Sequence, residues 1–171
     1  MKKPFLIILD GPIGSGKTTV SELLHKRLKK TALISLDKVK RLVSDYKPVH
    51  KYHNLASQVG KVMAKEYLKN GWNVIVEKAF TREKFIQEYL NFKKNKNIKV
   101  FVYQMTIPFN VAIKRVRQRE KLRDKISKLS TRRIERNYNH YDLYSYKKAK
   151  TFDSVKLKPQ KIVKEILKDL K

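Results

Sequence analysis

Cysteine is absent from the 171 residues, and acidic residues are scarce: 15 Asp and Glu stand against 42 Lys and Arg, a formal net charge of +27. Without cysteine the chain cannot form a disulfide scaffold, a thiolate zinc site or a cysteine nucleophile, and we expect a reducing, cytoplasmic location. A chain of this length is expected to form one domain over residues 1–171. Its hydrophobic content of 41% is too high for a disordered basic tail.

Long hydrophobic runs are also lacking. The apolar run near the amino terminus, Phe5–Leu9, is shorter than the ~7 to 15 residues of a signal-peptide core and far short of the ~20 that span a bilayer. It predicts a buried strand in a soluble protein that has no membrane partner. The cations are 32 Lys and 10 Arg, a bias that genome composition alone can produce. The scarcity of acids nevertheless favours a polyanionic partner, with any nucleic-acid binding strongly dependent on salt.

Apolar runs of strand length alternate along the chain with segments of helical period. This alternation predicts a parallel sheet that is covered by helices on both faces. Strands are predicted at Phe5–Leu9, Ala32–Leu36, Val74–Val76, Ile98–Met105 and Thr151–Asp153. Helices are predicted at Lys17–Lys30, after Asp37 as a cap, at Leu55–Asn70 with Val59, Val62, Met63 and Tyr67 inward, at Asn110–Arg119, from about Lys128 to Tyr141, and at Gln160–Leu170.

Glycine is the third scarce residue, and three of the five glycines fall within six positions: Gly11, Gly14 and Gly16. They belong to the segment GPIGSGKT, which matches G-x-x-x-x-G-K-[ST] between a predicted strand and a predicted helix. Such glycines let backbone N–H groups curl around an anion at the positive end of the following helix. The segment therefore predicts binding of ATP with Mg²⁺: Lys17 contacts the outer phosphates and Thr18 the metal. The predicted nucleotide-binding residues are Gly11, Ile13, Gly14, Ser15, Gly16, Lys17, Thr18 and Thr19.

A phosphate-binding loop defines the donor and leaves the reaction open. Switch GTPases are excluded, because no Asp stands three residues before Gly60 or Gly71 and no Asn-Lys-x-Asp motif is present. Motor, ABC and AAA+ ATPases usually need a larger core and a strand that ends in paired acids. The length of the chain therefore favours a small phosphoryl-transfer kinase.

Four segments, ILDGPIGSGKTT, SLDKVKR, VIVEKAF and AIKRVRQREKLR, resemble the P-loop kinase branch of the polynucleotide 5′-kinases, the zeta-toxin and chloramphenicol-phosphotransferase kinases and the kinase of seryl-tRNA. The likeness spans most of the chain; the first segment is highly specific and the others moderately so. It implies a three-layer α/β/α P-loop NTPase fold, with a five-stranded parallel sheet in the order 2-3-1-4-5 and a short lid at about 119–128. Cytidylate kinases share the first segment, but their characteristic segment after the second strand is missing here.

Asp37 follows the second strand, at the sheet edge where open α/β folds bind ligands. In the resembled kinases an Asp at this place accepts the proton of the attacking hydroxyl, and an Arg a few residues on holds the acceptor's phosphate. The resemblance implies these roles for Asp37 and for Arg41, or for Lys40 at the family's usual spacing. The alternative is that Asp37 only caps a helix, and the two roles can coexist.

Glu77 ends the third predicted strand and has the form of a Walker B acid. It is a candidate to hold Mg²⁺ through water, or to orient Arg41 at the acceptor site. The alternative is a solvated acid at a strand end. Asp10, beside the loop, is a weaker metal candidate.

Four arginines crowd the end of the fourth predicted helix and the lid: Arg115, Arg117, Arg119 and Arg123. A guanidinium that arrives with lid closure stabilises the charge of phosphoryl transfer. The alignment with the family favours Arg119 as the catalytic arginine, with Arg115 second. For some of the four, the alternative is a solvated helix end that compensates the helix dipole.

Basic and aromatic residues interleave between Arg132 and Tyr146, a pattern that also occurs where proteins stack nucleic-acid bases. Ile134, Tyr138 and Tyr141, however, have the i, i+4, i+7 spacing of a core stripe, which we favour. His50 and His53 show no third metal ligand, so we interpret them as an acceptor-site wall or as solvated.

The leading hypothesis is an Mg²⁺- and ATP-dependent kinase that phosphorylates a hydroxyl of a nucleic acid or nucleotide. One alternative is a small-molecule or toxin-type kinase, for which the lysine excess is merely genomic. Another is a non-catalytic, ATP-regulated nucleic-acid-binding module. The acceptor, the choice between ATP and GTP, and the oligomeric state are left open by the sequence.

Overall fold

Strands and helices alternate as predicted in the computed structural model of this protein, which describes residues 3–47, 49–80, 83–121, 130–142 and 149–171. The strands are β1 (Phe5–Asp10), β2 (Thr31–Ser35), β3 (Asn73–Glu77), β4 (Lys99–Thr106) and β5 (Lys150–Asp153). The helices are α1 (Lys17–Arg27), α2 (Leu36–Lys40), α3 (His50–Lys69), α4 (Glu83–Leu90), α5 (Phe109–Lys121), α6 (Thr131–Asp142) and α7 (Pro159–Asp169), with a 3₁₀ turn at Asn91–Lys94.

All neighbouring strands pair in parallel, and their order is β2-β3-β1-β4-β5, which confirms the predicted three-layer fold. Strand β3 lies between β2 and β1. In this register Glu77 is level with Leu9 on one side and with Ser35 on the other. The residues that follow β1, β2 and β3 therefore come together at one edge of the sheet.

The core has one layer on each face of the sheet, because alternate side chains of a strand point to opposite faces. On one face Leu6, Ile8 and Val76 are fully buried among the residues of α2, α3 and α4. On the other face Ile7 and Leu9 pack with α1 and α7. Burial on both faces explains why these strands read as continuous apolar runs.

Helix α4 has no counterpart among the predicted elements. Its residues Ile86, Tyr89 and Leu90 are buried against the same core layer. Their i, i+3, i+4 spacing is helical. The signal is present in the sequence but is confined to one short segment among charged residues.

Helix α3 begins five residues before the predicted start, and only part of its predicted inward face is confirmed. Val59 and Met63 pack against the core as predicted. Val62 and Tyr67 were expected inward but are 67% and 40% exposed. The face in contact with the core carries small residues, which are weak hydrophobic signals. At Gly60 the backbone comes so close to the α2 region that an added Cβ would stand 2.3 Å from Leu36 Cδ2.

Candidate active site at the carboxyl edge of the sheet

The phosphate-binding loop, residues 11–18, joins β1 to α1 as predicted. Gly14 and Gly16 have φ of +80° and +86°, which other residues rarely adopt. At Gly14 a Cβ would stand 2.9 Å from the Ala112 carbonyl oxygen, because α5 packs against the loop. Gly16 directly precedes α1, so the helix N-terminus faces the hollow of the loop. This cradle fits a polyphosphate.

Lys17 and Ser15 place polar groups inside the loop. The Lys17 side chain is buried, and its Nζ donates a 2.9 Å hydrogen bond to the Pro12 carbonyl oxygen. Burial lowers the pKa of Lys17, while Glu77, Asp10 and Asp37 oppose that effect. Among the described residues, the buried Ser15 hydroxyl has no hydrogen-bond partner. Of the other predicted loop contacts, Ile13 is half-buried and Thr19 exposed.

Glu77 is buried beneath the loop and joins two strands to it. Its Oε1 accepts a hydrogen bond of 3.1 Å from the Thr18 hydroxyl, and its Oε2 accepts one of 2.8 Å from the Ser35 hydroxyl. Thr18 and Glu77 are thus adjacent oxygen donors, the chemistry that Mg²⁺ prefers. Arg41 is exposed at the end of α2, and its described hydrogen bond runs from its backbone N–H to Lys38. The structure does not bring Arg41 to Glu77.

Asp10 is fully buried and accepts four hydrogen bonds. Its Oδ1 accepts from the backbone N–H groups of Gly11 (2.7 Å) and Phe80 (2.9 Å). Its Oδ2 accepts from Gln104 Nε2 (3.1 Å) and the Tyr141 hydroxyl (3.4 Å). Burial raises the pKa of Asp10, although these partners favour its charged form. With both oxygens engaged, Asp10 braces the loop, which explains its position better than metal binding does.

Asp37 lies in the first turn of α2, and Ser35 is the N-cap instead, so the prediction that Asp37 caps the helix is wrong. Its carboxylate is 69% exposed and pairs with the buried Lys40. Desolvation opposes ionisation, but Lys40, Lys17 and Lys78 together lower the pKa of Asp37. Of the two predicted acceptor-phosphate ligands, Lys40 is therefore beside Asp37, whereas Arg41 turns away to the helix end.

The arginines of α5 differ in their surroundings. Arg115 Nη2 and Nη1 donate to the Ser154 carbonyl (2.8 Å) and hydroxyl (3.2 Å), and Nη1 lies 3.5 Å from the Gly14 carbonyl. Arg117 pairs with Glu120 and donates to Thr131 on α6. Arg119 is exposed, and its charge contributes to lowering the pKa of Lys17. Arg123 and lid residues 122–128 lie outside the described residues.

The core interpretation of the α6 stripe is confirmed. Ile134 and Tyr141 are buried, and Tyr138 donates a 2.7 Å hydrogen bond to the Ile107 carbonyl oxygen while its ring contacts Phe109. Tyr144 and Tyr146 lie outside the described residues. The searched part of the chain contains no group of three or more His, Cys, Asp or Glu that could hold a metal, and none of its helices is long and apolar enough to cross a membrane.

The sequence predicts an acceptor pocket from residues 38–58 and the segment after Glu77, but it does not single out two features that the structure shows there, near Asp37. The first is Lys78, whose side chain is only 8% exposed and follows β3 directly. Its one sequence signal is its position after a strand-end acid. The second is a cleft of about 220 Å³ between α2 and α3. The cleft is lined by Val39, Lys40, Leu42, Val43, Tyr52, Leu55, Ala56 and Val59.

Residues 6–143 match the family AAA_33, described as an AAA domain, and the chain belongs to this family. The description of this family names an AAA domain, so the short length of the chain does not by itself exclude a relationship to AAA+ ATPases. No curated protein sequence matches the chain.

Solved structures share the fold. A protein of Chloroflexus aurantiacus described as a candidate kinase is similar at 21% identity over 99% of this chain and 97% of that one, with a TM-score of 0.78. A gluconokinase of Sinorhizobium meliloti is 16% identical over 98% and 92%, with a TM-score of 0.67. A chain of the Pnkp1/Rnl/Hen1 RNA repair complex is 19% identical over 84% of this chain, with a TM-score of 0.68; the match spans 45% of that chain's length. The fold is that of P-loop kinases.

Proposed function

We propose that this protein is a kinase that transfers the γ-phosphoryl group of ATP to a hydroxyl of a nucleic acid or nucleotide. The observation that carries the proposal is the placement of Asp37. This exposed carboxylate, whose pKa is lowered, lies at the same sheet edge as the phosphate-binding loop, and the charges of Asp37 and Lys17 affect each other. A base at the same sheet edge as a phosphate-binding loop is suited to activate an acceptor hydroxyl.

Each residue of the site takes one part in the proposed transfer. The loop N–H groups and Lys17 bind the donor phosphates, and Asp37 accepts the proton of the acceptor hydroxyl. The acceptor oxygen then bonds to the γ-phosphorus as the bond to the bridging oxygen of ADP breaks. Arg119 stabilises the charge on the transferred group. Thr18 and, through water, Glu77 would hold Mg²⁺, which neutralises charge on the phosphate oxygens.

Two observations favour a nucleic-acid or nucleotide acceptor. The net charge of +27 attracts polyanions. One solved structure with the same fold comes from an RNA repair complex. The likeness to a gluconokinase favours the alternative, a small-molecule kinase. We take residues 1–171 as one kinase domain in either case.

The test is transfer of radiolabelled γ-phosphate from ATP to a panel of acceptors: single-stranded RNA and DNA, nucleosides, nucleotides, gluconate and nucleotide sugars. We expect labelled polynucleotide or nucleotide. Transfer to a sugar together with none to any nucleic acid or nucleotide would contradict the proposal. ATP binding without transfer to any acceptor would favour the non-catalytic binding module instead.

A further inference from the structure

Lys78 carries a buried ammonium whose hydrogen-bonding capacity is unused. The side chain is 8% exposed, and among the described residues Nζ has no hydrogen-bond partner. It lies 4.6 Å from the centre of the Phe85 ring and 5.7 Å from that of Phe80. Aromatic faces attract a cation, but they accept none of its three N–H donors in the usual way. A buried donor without a partner is unusual in a folded protein, which points to a ligand.

Lys78 lies near the charged residues that follow β2. It follows β3, whose neighbour β2 leads into Asp37 and Lys40. The charges of Lys78, Asp37 and Lys40 are close enough to affect one another. Glu88 and Asp10 also attract the Lys78 cation, but neither bonds to it. Asp37 pairs with Lys40, and no described residue forms an ion pair with Lys78.

An anion at this place is distinct from the donor phosphates. Lys17 lies within the phosphate-binding loop, whereas Lys78 lies with the residues proposed to activate the acceptor. Lys40 also lines the apolar cleft between α2 and α3. This corner therefore combines cations, a base and an apolar wall with the aromatic ring of Tyr52. These features match a molecule that carries a hydroxyl group, an anionic group and a flat ring. The cations would bind the anionic group, the base would face the hydroxyl, and the apolar wall would contact the ring.

We propose that Lys78, together with Lys40, binds a phosphate group of the acceptor, and that the α2–α3 cleft holds the base of the same nucleotide. The inference rests on the proposed function and specifies its substrate. In any polynucleotide one sugar ring separates the terminal hydroxyl from the first phosphate. A hydroxyl at Asp37 would thus place that phosphate near Lys78. Lys78 is a specificity-determining residue in this arrangement, and it favours nucleotides over nucleosides.

The test measures binding and transfer separately, with the phosphate-binding loop filled by a non-hydrolysable ATP analogue and Mg²⁺ in the binding experiment. The probes are adenosine, adenosine 3′-monophosphate and adenosine 5′-monophosphate, titrated by calorimetry into the wild type, Lys78→Met and Lys78→Arg. Lys164→Met removes one exposed charge on α7 and serves as the control. Transfer to the same acceptors then gives kcat and KM.

We expect the wild type to bind one of the monophosphates at least tenfold more tightly than adenosine, the size of one charge-assisted hydrogen bond. Lys78→Met should abolish this preference by raising the Kd and KM of the monophosphate, with kcat and the KM of ATP little changed. Lys78→Arg should retain most of the preference, and Lys164→Met all of it. Should Lys78→Met fold poorly by circular dichroism, Lys78→Gln replaces it.

Three outcomes would overturn the inference: no preference for either monophosphate in the wild type, an equal loss for adenosine and the monophosphates in Lys78→Met, or a raised KM for ATP alone. The first two outcomes would mean that Lys78 has a structural role. The third would mean that Lys78 contributes to binding of the donor, ATP. Binding that depends on Lys78 without transfer to any nucleotide would instead contradict the proposed function and leave the anion site standing. Transfer to a nucleotide, together with a monophosphate Kd that Lys78→Met does not change, would support the proposed function and contradict the anion site.

Discussion

The Thr18 hydroxyl donates a 3.1 Å hydrogen bond to Glu77 Oε1, so the first turn of α1 is joined to the carboxyl end of β3. Ser35 donates to the other carboxylate oxygen from β2. Three elements that are far apart in the chain thus converge on one buried acid. The pair brings together the two residues that we propose hold Mg²⁺, and it gives the first prediction.

Replacing Glu77 by Gln should weaken Mg²⁺ binding about 10- to 100-fold, because the amide keeps an acceptor for Thr18 but removes the charge that attracts the metal. The measurement is the Mg²⁺ dependence of phosphoryl transfer. Ser35→Ala is the matched control, since it removes the hydrogen bond to Oε2 and leaves the charge. An unchanged Mg²⁺ requirement in Glu77→Gln would exclude Glu77 from the metal site.

Replacing Asp37 by Asn should lower kcat by about 10²- to 10⁴-fold, the usual contribution of a general base. ATP affinity should change far less than kcat, since Asp37 does not belong to the loop and only its charge acts on Lys17. Glu165→Gln on α7 is the control. A variant that retains full kcat would show that another group accepts the proton.

The pH profile tests the environment of Asp37. Because neighbouring lysines lower its pKa below the ordinary 3.8, the carboxylate stays charged, and active, down to acidic pH. Removing the nearest cation with Lys40→Met should raise that pKa, so the acidic limb of the kcat profile should move to higher pH. A limb that stays in place would mean that Lys40 does not control the charge of Asp37.

Two of the three arginines of α5, Arg119 and Arg115, should have different effects when replaced by Ala. Arg119→Ala should lower kcat by about 10³-fold or more with unchanged stability, because the side chain is exposed and we propose that it contacts the transferred group. Arg115→Ala should lower the free energy of unfolding by about 1–3 kcal/mol, since it leaves the Ser154 carbonyl without its donor. Thermal unfolding and kcat separate the two effects. The reverse pattern would exchange the roles.

Asp10→Asn should lower the free energy of unfolding by about 1–3 kcal/mol at pH 7, because the amide NH₂ group cannot accept the hydrogen bond from Gln104. Burial raises the pKa of Asp10 in the folded state above its ordinary value of 3.8. The protonated carboxyl group therefore adds to the free energy of unfolding of the wild type below pH 3.8, and this contribution is lost as the pH rises through the folded-state pKa. The asparagine variant lacks this decline. Denaturant unfolding of both proteins from pH 3.8 upward measures the difference.

If the acceptor is a polynucleotide, its KM should rise ~10³-fold or more between 50 and 200 mM salt, because several phosphate contacts release counterions. The KM of an uncharged nucleoside acceptor should barely change over the same range and is the internal control. Equal salt responses would show that the charge of +27 does not act in acceptor binding.

Local sequence patterns predicted most of the fold, because strands, helices and the phosphate-binding loop each depend on residues that are close together in the chain. The phosphate-binding loop depends on glycines at set spacings beside one strand and one helix, and the structure has those neighbours. The alternation of strand-length apolar runs with helix-period segments predicted a parallel sheet covered on both faces, because parallel strands need helical connections. Helix α4 was missed because its apolar signal is confined to one short segment. Part of the inward face of α3 was wrongly predicted because small residues, which are weak hydrophobic signals, form much of its contact with the core.

Contacts between distant residues could be decided only by the tertiary structure. The sequence marks Asp10 as a weak metal candidate and Arg115 as the second candidate for the catalytic arginine, but it does not predict their hydrogen-bond partners, and it does not single out Lys78. In the folded chain Asp10 accepts four hydrogen bonds, and Arg115 donates hydrogen bonds to Ser154. Lys78 is buried against two aromatic rings, and its Nζ has no hydrogen-bond partner among the described residues. The sequence by itself determined the phosphate-binding loop, because its atoms come from one short segment. The proposed acceptor site depended on tertiary structure, because its charged residues come from α2 and from the residue after β3, and they acquire their pKa shifts and partners only when β1, β2 and β3 align.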